Sequence, residues 1–373
     1  ALLPWLAGTA FTHSLVFSRN KILLSWMVFL GISVFLLSIL GSFIVRSGIL
    51  NSVHSFASDP SRGVFLLSLF ALFSFASIAL FFSRSVFLQS DWPKFLSKQY
   101  LLVLNNLVLL VILLIVFLGT LYPIATEVFY GQKLSIGPDY FSQLITPLVL
   151  ILICLFSVEQ FPSLLREHRN VFFTSAIAIT AGIIALEFLD FSPISFSLIF
   201  VLVALVIMLL RAIAEFFKTK EVAIMHKILG HFSVVLLTFA VLFNHQYSES
   251  VDLKLKPGQS TEFADSSLEF KSIEILGKEN FDTVVANFYV KDKNFQADVI
   301  SEKRVYKIGG IITSETGIAS FPTKDYHIVL GDRFQDGSWS IRYSINYGIM
   351  MIWASSFLLL FSMLYGTIRR YGY

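Results

Sequence analysis

The sequence predicts a mainly α protein: a polytopic membrane helix bundle of about nine spans carrying one small extracytoplasmic β domain. Three observations predict it. Of the 373 residues, 55% are hydrophobic and 14% charged, against roughly 45–50% and about a quarter in an average soluble domain, which excludes a soluble globular enzyme. Uncharged runs long enough to cross a bilayer core about 30 Å thick recur along the chain. The charge is also uneven, because residues 247–343 hold 12 of the 28 Lys and Arg and 15 of the 25 Asp and Glu.

Taken in order, residues 1–17 form an uncharged run that opens at Ala1 without an initiator Met, as expected of a chain beginning inside a helix. Runs free of Asp, Glu, Lys and Arg follow at 22–45, 63–83, 99–126, 140–158, 170–186, 191–210 and 228–248, giving a bundle over 1–246. The segment 247–343 has a different texture. Val251, Leu253 and Leu255 alternate with polar residues, as do parts of Thr283–Lys291 and Trp339–Tyr343. Pro257-Gly258, Gly309-Gly310 and Asp336-Gly337 punctuate them, so about seven strands of ordinary length are expected. The uncharged run 343–368 supplies a ninth span, and residues 344–373 are read as the last membrane helix and a tail. No charged n-region precedes the first apolar run, so no signal peptide is expected. Neither a fixed-period repeat nor an inverted pair of broken helices is visible.

If the spans alternate, one set of loops and the tail hold Arg19, Lys21, Arg84, Lys94, Lys98, Arg166, Arg169, Arg211, Lys218, Lys220, Lys227, Arg369 and Arg370. The opposite short loops hold only Arg46, Arg62 and Lys133. The positive-inside rule makes the first set cytoplasmic, with the C-terminus inside and the β domain outside. This also accounts for the net charge of +3 without a nucleic-acid partner, for which no basic patch interleaved with aromatics is present. Cys154, the single cysteine, lies in an apolar run and forms neither a disulfide framework nor a thiolate metal site within the chain.

With no charged side chain inside the spans, ion pathways built on intramembrane carboxylates have no support, and the histidines are the polar residues to explain. His13 lies six residues before Arg19, and His231 four after Lys227. At about 1.5 Å per residue they sit roughly 9 and 6 Å inside the cytoplasmic boundary. Two imidazoles at similar depth suit axial ligation of a haem iron; alternatively, each hydrogen-bonds a neighbouring helix. His54 lies in an outer loop rich in Ser, Gly, Asp and Pro, bracketed by Arg46 and Arg62. Those guanidinium groups suit anionic propionates, the alternative being an ordinary polar connector. His168 and His226 sit among inner-face bases and are expected to be solvated. His245 is a weaker ligand candidate than His231, and His327 is expected on a strand.

Several strings together resemble a known family, the large polytopic haem lyase subunit of bacterial cytochrome c maturation, CcmF. They are Pro4-Trp5-Leu6-Ala7-Gly8-Thr9-Ala10 with His13-Ser14, Arg46-Ser47-Gly48 through Val53-His54 to Asp59-Pro60-Ser61-Arg62-Gly63, Leu118 through Pro123, and Ser135 through Phe141. In the β segment, Glu302-Lys303-Arg304-Val305-Tyr306, Thr313-Ser314-Glu315 and Asp336-Gly337-Ser338-Trp339 match as well. The likeness runs through the whole chain in order. Asp139 stands where the family usually has Pro, and Ser301 where Pro commonly precedes Glu-Lys-Arg.

The resemblance implies that His13 and His231 hold a resident b-type haem and that His54 is one ligand of a second haem, the substrate, delivered on the outer face. The activity implied is covalent attachment of haem to Cys-x-x-Cys-His apocytochromes c. The partners implied are the apocytochrome, a haem chaperone and other maturation subunits, and the lipid bilayer. The expected location is the bacterial inner membrane, rather than the mitochondrial one. The family's tryptophan-rich segment and first outer histidine would precede Ala1, so the chain is expected to be the C-terminal part of a lyase, inactive without its N-terminal half. A reading of another class is a membrane scaffold or solute or haem carrier with no resident haem.

Overall fold

A computed structural model of the chain describes residues 2–15, 23–46, 60–84, 92–95, 97–131, 134, 136–159, 193–219, 222–307, 310 and 312–371. The expected span at 170–186 lies outside the described residues. The chain divides into two compact units, Ala1–Ala181 and Gly182–Tyr373.

The first unit contains α1 (Leu2–Leu15), α2 (Leu24–Arg46), α3 (Pro60–Ser83), α4 (Lys98–Tyr130) and α5 (Pro138–Glu159). In lipid each backbone amide must find its partner within the segment, so uncharged runs of this length become helices. Stretches long and apolar enough to cross a membrane are Leu24–Val45, Gly63–Ser83, Gln99–Glu127 and Pro138–Leu155. The described part of α1 is 14 residues long. Local signals set the ends of α4. Ser97 Oγ accepts from the Tyr100 amide at 3.2 Å, and Gly131, at φ +67°, donates to the Glu127 carbonyl at 3.1 Å. The core joins Leu3, Leu6 and Ala10 of α1 to Leu30 of α2, to Leu109, Ile112 and Val116 of α4, and to Leu152 of α5. Glycines let the helices approach. A Cβ on Gly119 would lie 2.8 Å from the Phe141 ring and 2.9 Å from that of Tyr140.

The second unit contains α6 (Pro193–Thr219), α7 (Val222–Tyr247), nine strands and α8 (Ile349–Tyr371). Ile228–Tyr247 and Ile349–Ile368 are long and apolar enough to span, while α6 offers a shorter apolar stretch, Ser197–Leu210. Arg211 and Lys218, expected in a loop, lie on α6, and Lys227 lies on α7. A helix may carry its last charged turns past the hydrocarbon edge, so apolar run length underestimates helix length. Small residues set the α7–α8 interface. A Cβ on Gly230 would meet Ser362 Oγ at 3.0 Å, one on Gly366 would meet His226 Cδ2 at 2.8 Å, and one on Gly348 would meet Phe243 Cδ1 at 3.1 Å. Positions rise along one helix as they fall along the other, so the pair is antiparallel.

Between α7 and α8 the chain forms a sandwich of two antiparallel sheets, ordered β1-β9-β8-β7 and β2-β3-β4-β5-β6. The strands are β1 Glu249–Leu255, β2 Ser260–Phe263, β3 Ser266–Gly277, β4 Phe281–Asp292, β5 Gln296–Tyr306, β6 Ile312–Glu315, β7 Gly317–Ser320, β8 Lys324–Arg333 and β9 Trp339–Tyr347. Alternation sends Leu268, Phe270, Ala286, Phe288 and Val290 inward from one sheet, and Tyr326, Ile328, Leu330, Ile341, Tyr343 and Ile345 from the other.

Two expectations are corrected here. Among the described residues there are nine strands rather than seven, and one of the two added strands arises because the stretch Ile312–Ser320 leaves one sheet and enters the other around Thr316. Gly317 permits the crossing: a Cβ there would lie 2.6 Å from the Ile300 carbonyl oxygen. The last strand also runs to Tyr347, past the expected boundary at 343, because alternating burial continues through Ile345 until Gly348 turns the chain at φ +78°. The Asn244 amide binds both ends of the insertion, donating to the Tyr347 carbonyl at 2.8 Å and to Ser248 Oγ at 2.9 Å.

Candidate haem-ligand histidines and their surroundings

His13 stands two residues before the end of α1, on the flank that packs against α4. Asn105 Nδ2 of α4 lies 3.4 Å from His13 Nδ1. One residue on, Asn106 Nδ2 donates to Ser14 Oγ at 2.9 Å, and Ser14 passes its own proton to the Ala10 carbonyl at 2.9 Å. Both asparagines are buried, at 3% and 1% exposure. The carbonyl oxygens of both amides are buried with no hydrogen-bond partner among the described residues. Two neighbouring pairs across the same interface fix the rotation of α1 against α4 and hold the His13 ring at Nδ1. A metal-ligating histidine donates its other ring N–H to an acceptor; an amide can offer its oxygen in place of its nitrogen by a half-turn, and with the Asn105 oxygen towards Nδ1 the surroundings of His13 would fit an axial haem ligand. The signal for Asn105 and Asn106 was visible in the sequence, as two adjacent amides inside the uncharged run 99–126, but attention to histidines alone passes over them.

His231 lies in the second unit, on α7, half-buried and next to Gly230. Its Nδ1 is shut off from solvent. His226, expected to be solvated beside Lys227, instead packs its ring against Gly366 of α8; the neighbouring charge was a poor guide because the contact is made from another helix. His245 is exposed near the end of α7. Arg46 closes α2, Arg62 lies in the first turn of α3, and His54, like His168, falls outside the described residues. Among the described residues no three His, Cys, Asp or Glu side chains cluster in a way that would hold a metal ion.

The β-domain strings that carry the resemblance have structural work to do. Glu302 pairs with Glu315, and Arg304 with Thr313, across β5 and β6. The Arg304 guanidinium sits between the two carboxylates, 2.8 Å from Glu302 and 3.3 Å from Glu315. It holds the Glu302 carboxyl below its ordinary range, against the opposing effect of burial. In Asp336-Gly337-Ser338, the Asp336 carboxylate accepts from the Ser338 amide at 3.1 Å and pairs with Lys254 at 2.8 Å, while Gly337 turns at φ +81°. Lys324 and Asp292 form an ion pair whose side chains are only 12% and 4% exposed. The Tyr326 hydroxyl donates to the same carboxylate at 2.6 Å. Burial pushes the Asp292 carboxyl up, but the Lys324 ammonium and Tyr326 hydroxyl outweigh it, so the group titrates below its usual range. His327, a strand residue as expected, is half-buried on β8, and burial lowers its pKa.

The model of the CcmF C-terminal beta-sandwich matches residues 246–346, the stretch that folds as the two sheets. That stretch is similar to the CcmF family's sandwich, and the likeness to CcmF proteins extends along nearly the whole chain. It is 33% identical over 382 residues to the cytochrome c-type biogenesis protein CcmF of Pseudomonas aeruginosa, covering 96% of this chain and 57% of that protein. To the CcmF of Haemophilus influenzae it is 30% identical over 398 residues, covering 100% and 61%. A solved structure of the cytochrome c haem lyase CcmF superposes with a TM-score of 0.68 at 18% identity, over 97% of this chain and 58% of that one; this likeness speaks for the fold. The chain therefore spans about three fifths of the length of these CcmF relatives.

Proposed function

We propose that the chain acts in cytochrome c maturation, as part of a haem lyase that joins haem to Cys-x-x-Cys-His apocytochromes in the bacterial inner membrane. The observation that carries this reading is a membrane histidine held at Nδ1 by a buried amide, in a chain similar to CcmF proteins over nearly its whole length. His13 and His231 are read as the two axial ligands of a resident b-type haem, each offering a neutral ring nitrogen at comparable depth. When bound, that group supplies one-electron transfer that keeps the delivered haem iron reduced. Arg46, His54 and Arg62 would receive the substrate haem on the outer face, the arginines meeting its propionates.

The bonds made are thioethers, formed as each cysteine thiol adds across a haem vinyl group. Thiol and vinyl both belong to the substrates, so this chain needs no nucleophile. Its contribution is to orient haem against peptide. The β sandwich is read as the docking surface for the apocytochrome or for another maturation protein such as the haem chaperone. The distribution of Lys and Arg puts the C-terminus in the cytoplasm and the sandwich outside.

The test is a visible spectrum of the detergent-purified protein. A Soret band with a b-type α band should survive His245→Ala, which removes an exposed side chain, and be lost in His13→Ala and His231→Ala. Unchanged haem content in the last two would leave the scaffold or carrier reading standing. In His54→Ala, cytochrome c yield should fall while resident haem remains.

A further inference from the structure

Asn105 and Asn106 are adjacent on α4, yet only one of them has its amide orientation fixed. Ser14 commits its hydroxyl proton to the Ala10 carbonyl, so Ser14 Oγ can only accept and Asn106 must present Nδ2. Nothing comparable fixes Asn105. Its Nδ2 faces His13 Nδ1, and its Oδ1 is buried with no hydrogen-bond partner among the described residues. The oxygen and nitrogen of an amide exchange places by a half-turn about the Cβ–Cγ bond, with almost no change of shape. At Asn105 that turn breaks only the one contact to the ring.

The two orientations select different ring tautomers. With Nδ2 towards the ring, Nδ1 accepts, the proton of a neutral imidazole is on Nε2, and Nε2 has no lone pair to give. With Oδ1 towards the ring, Nδ1 donates and Nε2 carries the lone pair that a metal needs. Ligation through Nε2 therefore requires the second orientation. We propose that Asn105 is a positioning residue that turns its amide over when haem is loaded, accepting the Nδ1 proton of His13 so that Nε2 is the ligating nitrogen. This rests on His13 being a resident-haem ligand. An acceptor at Nδ1 makes the imidazole a stronger donor, which favours ferric over ferrous iron; removing the acceptor does the opposite.

The experiment measures haem affinity and midpoint potential of the purified full-length protein in Asn105→Asp, Asn105→Leu and Ser42→Ala, with His13→Ala and His231→Ala alongside. Asn105→Asp keeps shape and an acceptor, and is expected to hold haem with a potential below that of the parent. Asn105→Leu is expected to bind haem about ten- to a hundredfold more weakly, and what remains bound to have a raised potential. Ser42→Ala, which removes a hydroxyl bonded only within its own helix α2, should leave the potential unchanged. If Asn105→Asp and Asn105→Leu hold haem at the parent potential while His13→Ala loses it, the positioning role is overturned and the ligand reading stands. If His13→Ala keeps its haem, both fall. Should Asn105→Leu fail to fold, the potential of the near-isosteric Asn105→Asp decides alone.

Discussion

Replacing Asp292 by Asn should cost the β sandwich much of its stability, and the size follows from the geometry. Asp292 and Lys324 are 4% and 12% exposed, and the carboxylate also accepts the Tyr326 hydroxyl. Removing the charge from one partner leaves a largely desolvated ammonium, at a cost of about 3–5 kcal/mol for buried pairs. The lower end applies, because the ammonium also stands 5.6 Å from the centre of the Tyr326 ring and 6.0 Å from that of Tyr347, which soften the loss. A domain of the roughly 100 residues between 246 and 346 has an unfolding entropy of about 0.2 kcal/mol/K, so about 3 kcal/mol lowers its Tm by roughly 14 °C. The double change Asp292→Asn with Lys324→Met removes both charges and should recover most of that loss. The assay is thermal unfolding of the detergent-solubilised protein followed by proteolysis within the sandwich. Because the folded-state pKa of Asp292 is depressed, its contribution is present above the unfolded value of about 3.9 and is lost as pH falls through the folded value. The parent should therefore lose stability below about pH 4 more steeply than Asp292→Asn. A single variant within about 2 °C of the parent, or a double variant no better than the single, would refute the buried-pair argument.

Further outcomes are expected at other sites. Gly119→Leu should reduce the amount of folded protein in the membrane, because even its Cβ would stand 2.8 Å from Phe141, an overpacking cost of about 1–3 kcal/mol; Gly41→Ala, with open space around it, should accumulate normally. Phe288→Ala should destabilise the sandwich by about 3–5 kcal/mol, since that ring is fully buried and stacked 4.8 Å from Phe270; protease susceptibility within residues 246–346 is the measurement. His327 has a lowered folded pKa, so the unfolded chain binds more protons as pH falls below about 6.5. Sandwich stability should drop on that acid side, and His327→Gln should flatten the slope of Tm against pH.

The helices were legible because their cause is local: an uncharged run of twenty residues has no alternative in lipid. Their ends were less so, since α6 continues to Thr219 through charged residues that a hydropathy boundary assigns to a loop. The strand count fell short in part around Thr316, where the chain changes sheets over a carbonyl contributed by Ile300. No local pattern encodes that contact. The histidines divide in the same way. His13 was legible as a polar residue inside an apolar run, but the amide it meets is 92 positions away. His226 was misread because Lys227 suggested water while Gly366, from another helix, supplied a packing surface.

The same distinction tells which of the family-like strings point to chemistry. Arg304 between Glu302 and Glu315, and Asp336 closing the turn at Gly337, are occupied in holding strands together. Gly119 against Tyr140 and Phe141 joins two further strings into one helix contact. These residues would be required in any protein with this sandwich and these helix crossings, whatever its chemistry. The His13-Ser14 string differs because its polar atoms exceed what packing needs. A Ser–Asn pair alone fixes the register of α1 on α4, yet beside it stand an imidazole and a second amide, and the carbonyls of both amides are buried without a partner among the described residues. An unmet acceptor of this kind costs about 1–3 kcal/mol and gives nothing to the fold in return. The proposed ligand role of His13 would account for that cost at Asn105.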